Sequence, residues 1–300
     1  LACLGWPLIR CILSHTTSQR PYRLSMNPTL VGKLLKFSWP LMLSGLLLFL
    51  VFHGDRAVVG HYFSMHELGF FSLVLTAFLL PSQLLHKVYD SLFLSSLSKA
   101  FRHRDRFESQ QFLIWYSLFA LSTAYVLFSI LLGPWLFIFL FGEKYAPGLN
   151  LLPWIVLMVS VRILRIATSM LALATAQPYC ELYANLVRAS ALPIAIIGLA
   201  MGYPIECVPI AGIIGEVLAL FVGLVSLNLP VSHAVKPPAV SGMIMLWLTS
   251  MVFITAEIVI DINPPYVSAT LAAVLLITMI LFFIKQYPKF TIERGFQNDV

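Results

Sequence analysis

The chain has 300 residues, 59% of them hydrophobic and only 11% charged, with a net charge of +6. A water-soluble domain carries about 25% charged residues, so this composition cannot cover a soluble surface and argues against a soluble enzyme. A mean hydropathy of +0.89 points instead to apolar side chains that face lipid. The positive charge then concerns the side of the bilayer on which basic residues lie, and no nucleic-acid partner is expected.

The first residues, Leu1 to Ile9, are apolar and run into Arg10. They show neither the basic start nor the small-residue cleavage site of a signal peptide. Residues 1–14 therefore read as the end of a preceding transmembrane helix, and the chain as a piece of a longer one. Residues 15–34 form a polar loop. A helical span needs about 20 apolar residues at 1.5 Å each, and eight such runs follow, near 35–61, 67–98, 110–133, 148–174, 178–202, 206–229, 238–260 and 265–285. The first six form a transmembrane lobe over 35–229. Residues 230–285 hold two further helices, and 286–300 a tail. Lipid leaves no water for unpaired backbone groups, and the runs lack the short alternation of barrel strands. The expected fold is all-α, a polytopic transmembrane helical bundle. Breakers mark the connections: Gly142 to Gly148 with Pro147, Gln177-Pro178, and Asn263-Pro264-Pro265.

Basic residues orient the set. Arg10, Arg20, Arg23, Lys33 and Lys36 precede or open the first span. Lys99, Arg102, Arg104 and Arg106 follow the second, Lys236 follows the sixth, and Lys285, Lys289 and Arg294 occupy the tail. These thirteen fall on one side and Lys144 alone on the other, which places 15–34 and the tail in the cytoplasm.

Five basic residues lie inside spans, Arg56, Lys87, Arg162, Arg165 and Arg188, as do five acids, Asp55, Asp90, Glu181, Glu216 and Glu257. Ionisable groups in a membrane are costly and face a bundle interior or a wet cavity. Lys87 and Asp90, three apart near the cytoplasmic boundary, are expected to pair at the interface. Asp55 and Arg56 are adjacent and point in different directions, with either an ion-pair role or a place on a cavity rim. Arg162 and Arg165 share a helical face. Arg188 and Glu216 lie roughly 15 Å into their spans, near the midplane. An Arg188–Glu216 pair that only fixes packing is one reading. One deep acid is not expected to serve three arginines, and Glu181 is available to Arg165. Excess buried cationic charge is tolerable where water or an anionic ligand reaches it, so Arg162, Arg165 and Arg188 are candidates for a cationic, substrate-binding cavity. Glu216, Glu181, Asp55 and Arg56 are candidates for ion pairing or ion coupling.

Pro40, Pro81, Pro153, Pro193 and Pro209 fall within spans, where each is expected to bend its helix. Trp39, Trp135, Trp154 and Trp247 sit near span ends, as an interfacial belt does. The four cysteines show no paired spacing and read as small apolar fillers. No phosphate-binding loop, zinc-protease motif or nucleophile elbow occurs. No metal, cofactor or catalytic residue is nominated, and the chain is expected not to be an enzyme.

Three stretches carry a resemblance. Phe37-Ser38-Trp39-Pro40-Leu41-Met42 leads to Gly54-Asp55-Arg56-Ala57-Val58-Val59-Gly60, then Glu67-Leu68-Gly69-Phe70-Phe71-Ser72. Phe141-Gly142-Glu143-Lys144-Tyr145-Ala146 precedes an apolar span. Val208-Pro209-Ile210-Ala211-Gly212-Ile213-Ile214-Gly215-Glu216 opens another. In this order they resemble the polysaccharide-biosynthesis flippases of the multidrug/oligosaccharidyl-lipid/polysaccharide exporter superfamily, over most of residues 33–230. Phe71 stands where that family usually has Tyr. The resemblance implies the second lobe of a fourteen-helix exporter plus its two extra helices, in a bacterial inner membrane. It implies transport of an undecaprenyl-diphosphate-linked oligosaccharide from the cytoplasmic to the periplasmic leaflet, alongside other polysaccharide assembly proteins, with the three arginines suited to the diphosphate. Two other readings are a membrane-embedded, polymerase-like enzyme of glycan assembly and a multidrug or peptidoglycan-precursor exporter of the same superfamily. The first usually needs a large outer loop, and a cationic drug calls for an acidic cavity.

Overall fold

The computed structural model describes residues 27–228 together with Ser14 and Thr16. The expected helix end at 1–14 and loop at 15–34 fall largely outside the described residues. The two further helices in 230–285, with Trp247 and Glu257, and the tail at 286–300 lie wholly outside them. Among the described residues there are helices and no strands. Six helices are long and apolar enough to cross a membrane: Pro28–Tyr62, Met65–Ala100, Asp105–Leu131, Glu143–Ala174, Pro178–Ala200 and Cys207–Ser226. They correspond in order to the first six expected spans, and the first begins at Pro28 rather than at 35. The all-α, polytopic transmembrane bundle is the fold of this part of the chain.

The chain divides into two compact units, residues 1–39 and residues 40–300. Within that second unit the fourth span is central. It packs against the second, third, fifth and sixth spans, and 89% of its most apolar window is buried. Ile155, Ile163, Leu164 and Met170 are fully enclosed here. Polar ties fix the neighbouring spans. The Ser122 hydroxyl donates to the Ser160 carbonyl at 3.0 Å, third span to fourth. The Tyr125 hydroxyl donates to the Phe78 carbonyl at 2.8 Å, third span to second.

The stretches that carry the resemblance have local structural reasons. Ser64 and Glu67 form a capping box at the start of the second span: the Ser64 amide donates to Glu67 Oε2 at 2.9 Å, and the Glu67 amide donates to Ser64 Oγ at 3.3 Å. Two otherwise unpaired helix-end donors are thereby satisfied. Gly142, at φ +88°, ends the helix Gly133–Phe141 in a conformation that favours glycine. A 3-10 stretch, Glu143–Leu151, then leads into the fourth span.

Two of the five span prolines do not bend anything. Pro153 and Pro209 sit in the first turn of their helices, Leu152–Ala174 and Cys207–Ser226, where the lost N–H has no partner in any case. Pro193 interrupts the fifth span, which divides at Ser190 into Pro178–Ala189 and Ala191–Ala200, as removal of the donor to residue 189 requires. The second span has another irregularity, a π turn at Asp90–Leu94.

Candidate cationic site between the first, fourth, fifth and sixth spans

The sixth span brings its acid to the arginines through a seam of small side chains. Ala211, Gly215, Ala219 and Gly223 recur every four residues on one buried face. Small residues let membrane helices approach closely. A Cβ at Gly215 would stand 3.0 Å from the Arg188 carbonyl oxygen and 2.8 Å from Ala191 Cβ. The absence of that carbon sets the fifth and sixth spans close enough for Glu216 to meet Arg188.

Glu216 is 1% exposed and Arg188 1%. Arg162 Nε donates to Glu216 Oε1 at 2.7 Å. Arg188 Nη2 lies 2.6 Å from the same oxygen, and Arg165 Nε lies 3.4 Å from Oε2. The expected Arg188–Glu216 pair is therefore present. The expectation that one deep acid would not serve all three arginines is corrected: Glu216 is within ion-pair distance of each, because Arg162 and Arg165 lie on one helix face and Arg188 faces them from the fifth span. Glu181 does lie near Arg165, with Nη1 to Oε1 at 3.5 Å.

Asn185 organises the Glu181 side of this cluster. It accepts a hydrogen bond from Arg165 Nη1 at 2.9 Å, and its Nδ2 donates to Glu181 Oε1 at 3.0 Å and to Ser44 Oγ at 2.6 Å. Phe52 covers the cluster from the first span, its ring centroid 5.0 Å from Arg162 Cζ and 5.2 Å from Arg188 Cζ. Both guanidinium groups thus gain a cation–π contact. Ser44, Phe52 and Asn185 were not among the sequence candidates, since an isolated neutral residue in a span carries no charge signal.

Five buried guanidinium nitrogens have no hydrogen-bond acceptor among the described residues: Arg162 Nη1, Arg165 Nε, Arg188 Nε and Nη2, and Arg56 Nε. The short approach of Arg188 Nη2 to Glu216 is an ion-pair contact outside hydrogen-bond angles. Buried donors of this kind are costly unless something else accepts from them. Two cavities adjoin them. One, of about 190 Å³, is lined by Phe52, His53, Asp55, Arg56, Gln83 and Arg162 among others. The other, of about 100 Å³, is lined by Gln83, His86, Arg165, Glu181 and Arg188 among others.

Asp55 and Arg56 do diverge. Arg56 Nη2 donates to Thr76 Oγ1 at 2.8 Å, toward the second span, whereas Asp55 has no such tie among the described residues; both residues line the larger cavity with Arg162. The expected Lys87–Asp90 pair is replaced. Asp90 Oδ2 meets His86 Nε2 at 3.4 Å, one turn away on the same helix face, and Lys87 is exposed.

Among known proteins, residues 4–150 match the model of a family described as polysaccharide biosynthesis protein. The matched segment contains Asp55 and Arg56 and ends before Arg162. No curated protein and no solved structure matches. The six apolar spans and the family match together support a multi-pass membrane protein of polysaccharide biosynthesis.

Proposed function

We propose that the chain lines the transmembrane route of a flippase for a polyprenyl-diphosphate-linked oligosaccharide, with the diphosphate held by Arg162, Arg165 and Arg188. The observation that carries this reading is the convergence of three buried guanidinium groups on the walls of two cavities, with Arg162 Nη1 and Arg188 Nε left without an acceptor among the described residues. Guanidinium donors match phosphate oxygens in geometry and charge. The larger cavity, of about 190 Å³, suits a phosphate or diphosphate group but not an oligosaccharide. The sugars would follow outside this cavity.

In this reading the chain moves its substrate without covalent chemistry. It sits in the bacterial cytoplasmic membrane with residues 15–34 and the C-terminal tail on the cytoplasmic face, and it forms the second lobe of a fourteen-helix exporter working with other polysaccharide assembly proteins. The test is complementation with the full-length protein. Single replacements of Arg162, Arg165 and Arg188 by Ala, at matched membrane levels, should lower surface polysaccharide at least tenfold. Arg162→Lys, which keeps the charge but loses the planar fork, should fall between wild type and Arg162→Ala. Wild-type output from all three alanine variants rejects the reading.

A further inference from the structure

The charges within the bundle leave one carboxyl group unassigned. Arg162, Arg165 and Arg188 contribute three positive charges, and Glu216 and Glu181 two negative ones, all joined by the contacts above. Asp55 is the third acid nearby. Among the described residues it has no ion pair and no hydrogen bond from a side chain, yet it lines the same cavity as Arg162. The groups that act on it electrostatically are Arg162 from the fourth span, Arg188 from the fifth, Glu216 from the sixth and Arg56 from its own helix. His53 and Gln83 share the cavity wall.

Arg56, which also lines the larger cavity, adds a fourth positive charge. When Asp55 is ionised, three acids face four arginines and one positive charge is left over; when Asp55 carries a proton, two are left over and the cavity attracts an incoming anion more strongly. We propose that Asp55 is a proton-binding site linked to the anion site, so that a proton on its carboxyl group is taken up together with the anion that binds Arg162 and Arg188. This rests on the anion-binding reading and specifies how that site is regulated. Linkage is reciprocal: whatever the proton adds to anion affinity, the anion adds to proton affinity. A carboxylate lining the same small cavity as the anion weakens its binding by roughly ten- to a hundredfold relative to the neutral acid. The proton stays on Asp55 Oδ and no covalent bond to the anion forms, so the step balances as one proton and one anion bound, and both released, together. The competing titratable groups are His53, whose neighbour on the described helix is the ring of Phe49, 4.5 Å away, and His86, which lines the smaller cavity and meets Asp90 at 3.4 Å.

The experiment is calorimetric titration of the purified full-length protein with sulfate, a dianion whose charge is constant from acidic to neutral pH. Repeating it in buffers of different ionisation enthalpy counts the protons taken up. The wild-type protein should bind sulfate ten- to a hundredfold more tightly as the pH falls, with uptake approaching one proton per anion near the middle of that change. Asp55→Asn should bind as tightly at neutral pH as the wild type does in acid, with no uptake. Asp55→Glu and His53→Gln should keep the pH dependence. Sulfate binding that is independent of pH in the wild type, or a dependence removed by His53→Gln and kept by Asp55→Asn, overturns the assignment of Asp55 and leaves the anion site standing. Absence of sulfate binding at every pH in both wild type and Asp55→Asn overturns the anion site and the proton linkage with it.

Discussion

The fourth and first spans are similarly apolar, with hydropathy of 1.9 in each best window, yet 89% of that window is buried in the fourth and 17% in the first. Hydropathy alone therefore says that a helix leaves water, and nothing about what it meets. What separates them is where polar groups recur. The fourth span carries Arg162 and Arg165 one turn apart, and these need partners from several sides at once. The first carries Ser44, Phe52 and Asp55 on a narrow strip, while Met42, Leu46, Phe49 and Leu50 are exposed. Enclosure follows from the demands of the two arginines, and the largest expected effect lies there. Among the described residues Glu216 is the one carboxylate that meets all three guanidinium groups, and Glu216→Gln leaves Arg162 and Arg188 buried without an ion-pair partner there. A loss of about 3–5 kcal/mol is expected, seen as a collapse of the thermal midpoint in detergent and of membrane levels. Ser44→Ala on the first span should leave both close to wild type. Equal losses from the two would erase the contrast between the spans.

The six described spans, their order and two of the ionic pairs were legible because they follow from run length, depth and three-residue spacing, which need no knowledge of neighbours. Arg188 with Glu216 and Glu181 with Arg165 are of this kind. Which helix faces which, and at what rotation, is set by packing, so Asn185 and Phe52 could not be nominated from their own positions. Asp90 shows the same limit at short range: Lys87 and His86 both lie within one turn, and only the built side chains decide between them. A signal for the helix seam did exist in the four-residue recurrence of Ala211, Gly215, Ala219 and Gly223. Pro153 and Pro209 were misread as bends because helix starts in apolar sequence are poorly marked by polar caps.

Glycine substitutions sharpen the comparison at the level of packing. A Cβ at Gly215 meets a backbone carbonyl and a short side chain, neither of which can swing away. Gly215→Val should cost about 1–3 kcal/mol by overpacking and push Glu216 from Arg188. Thermal denaturation in detergent should show a lowered midpoint, and sulfate affinity should fall as well. A Cβ at Gly45, on the first span, would have nothing within 4 Å. Gly45→Ala should be neutral or stabilising by up to about 1 kcal/mol, the helix-propensity difference between the two residues. If both substitutions behave alike, the close approach of the fifth and sixth spans is not what positions the acid.

The smallest effect tests how the first span is tied to the arginine cluster. Asn185 Nδ2 divides its two donors between Ser44 and Glu181. Ser44→Ala takes away one acceptor, and a hydrogen bond between membrane helices is worth about 0.6 kcal/mol, rarely above about 1.7. The fold should survive that loss. Arg165 would keep its bond to Asn185 Oδ1, so the cluster itself should remain assembled while the first span is held less firmly over it. Hydrogen exchange should then rise in residues 40–62 and stay unchanged in residues 152–174. A rise in both segments would mean that the first span stabilises the cluster rather than resting on it, and that its exposure understates its role.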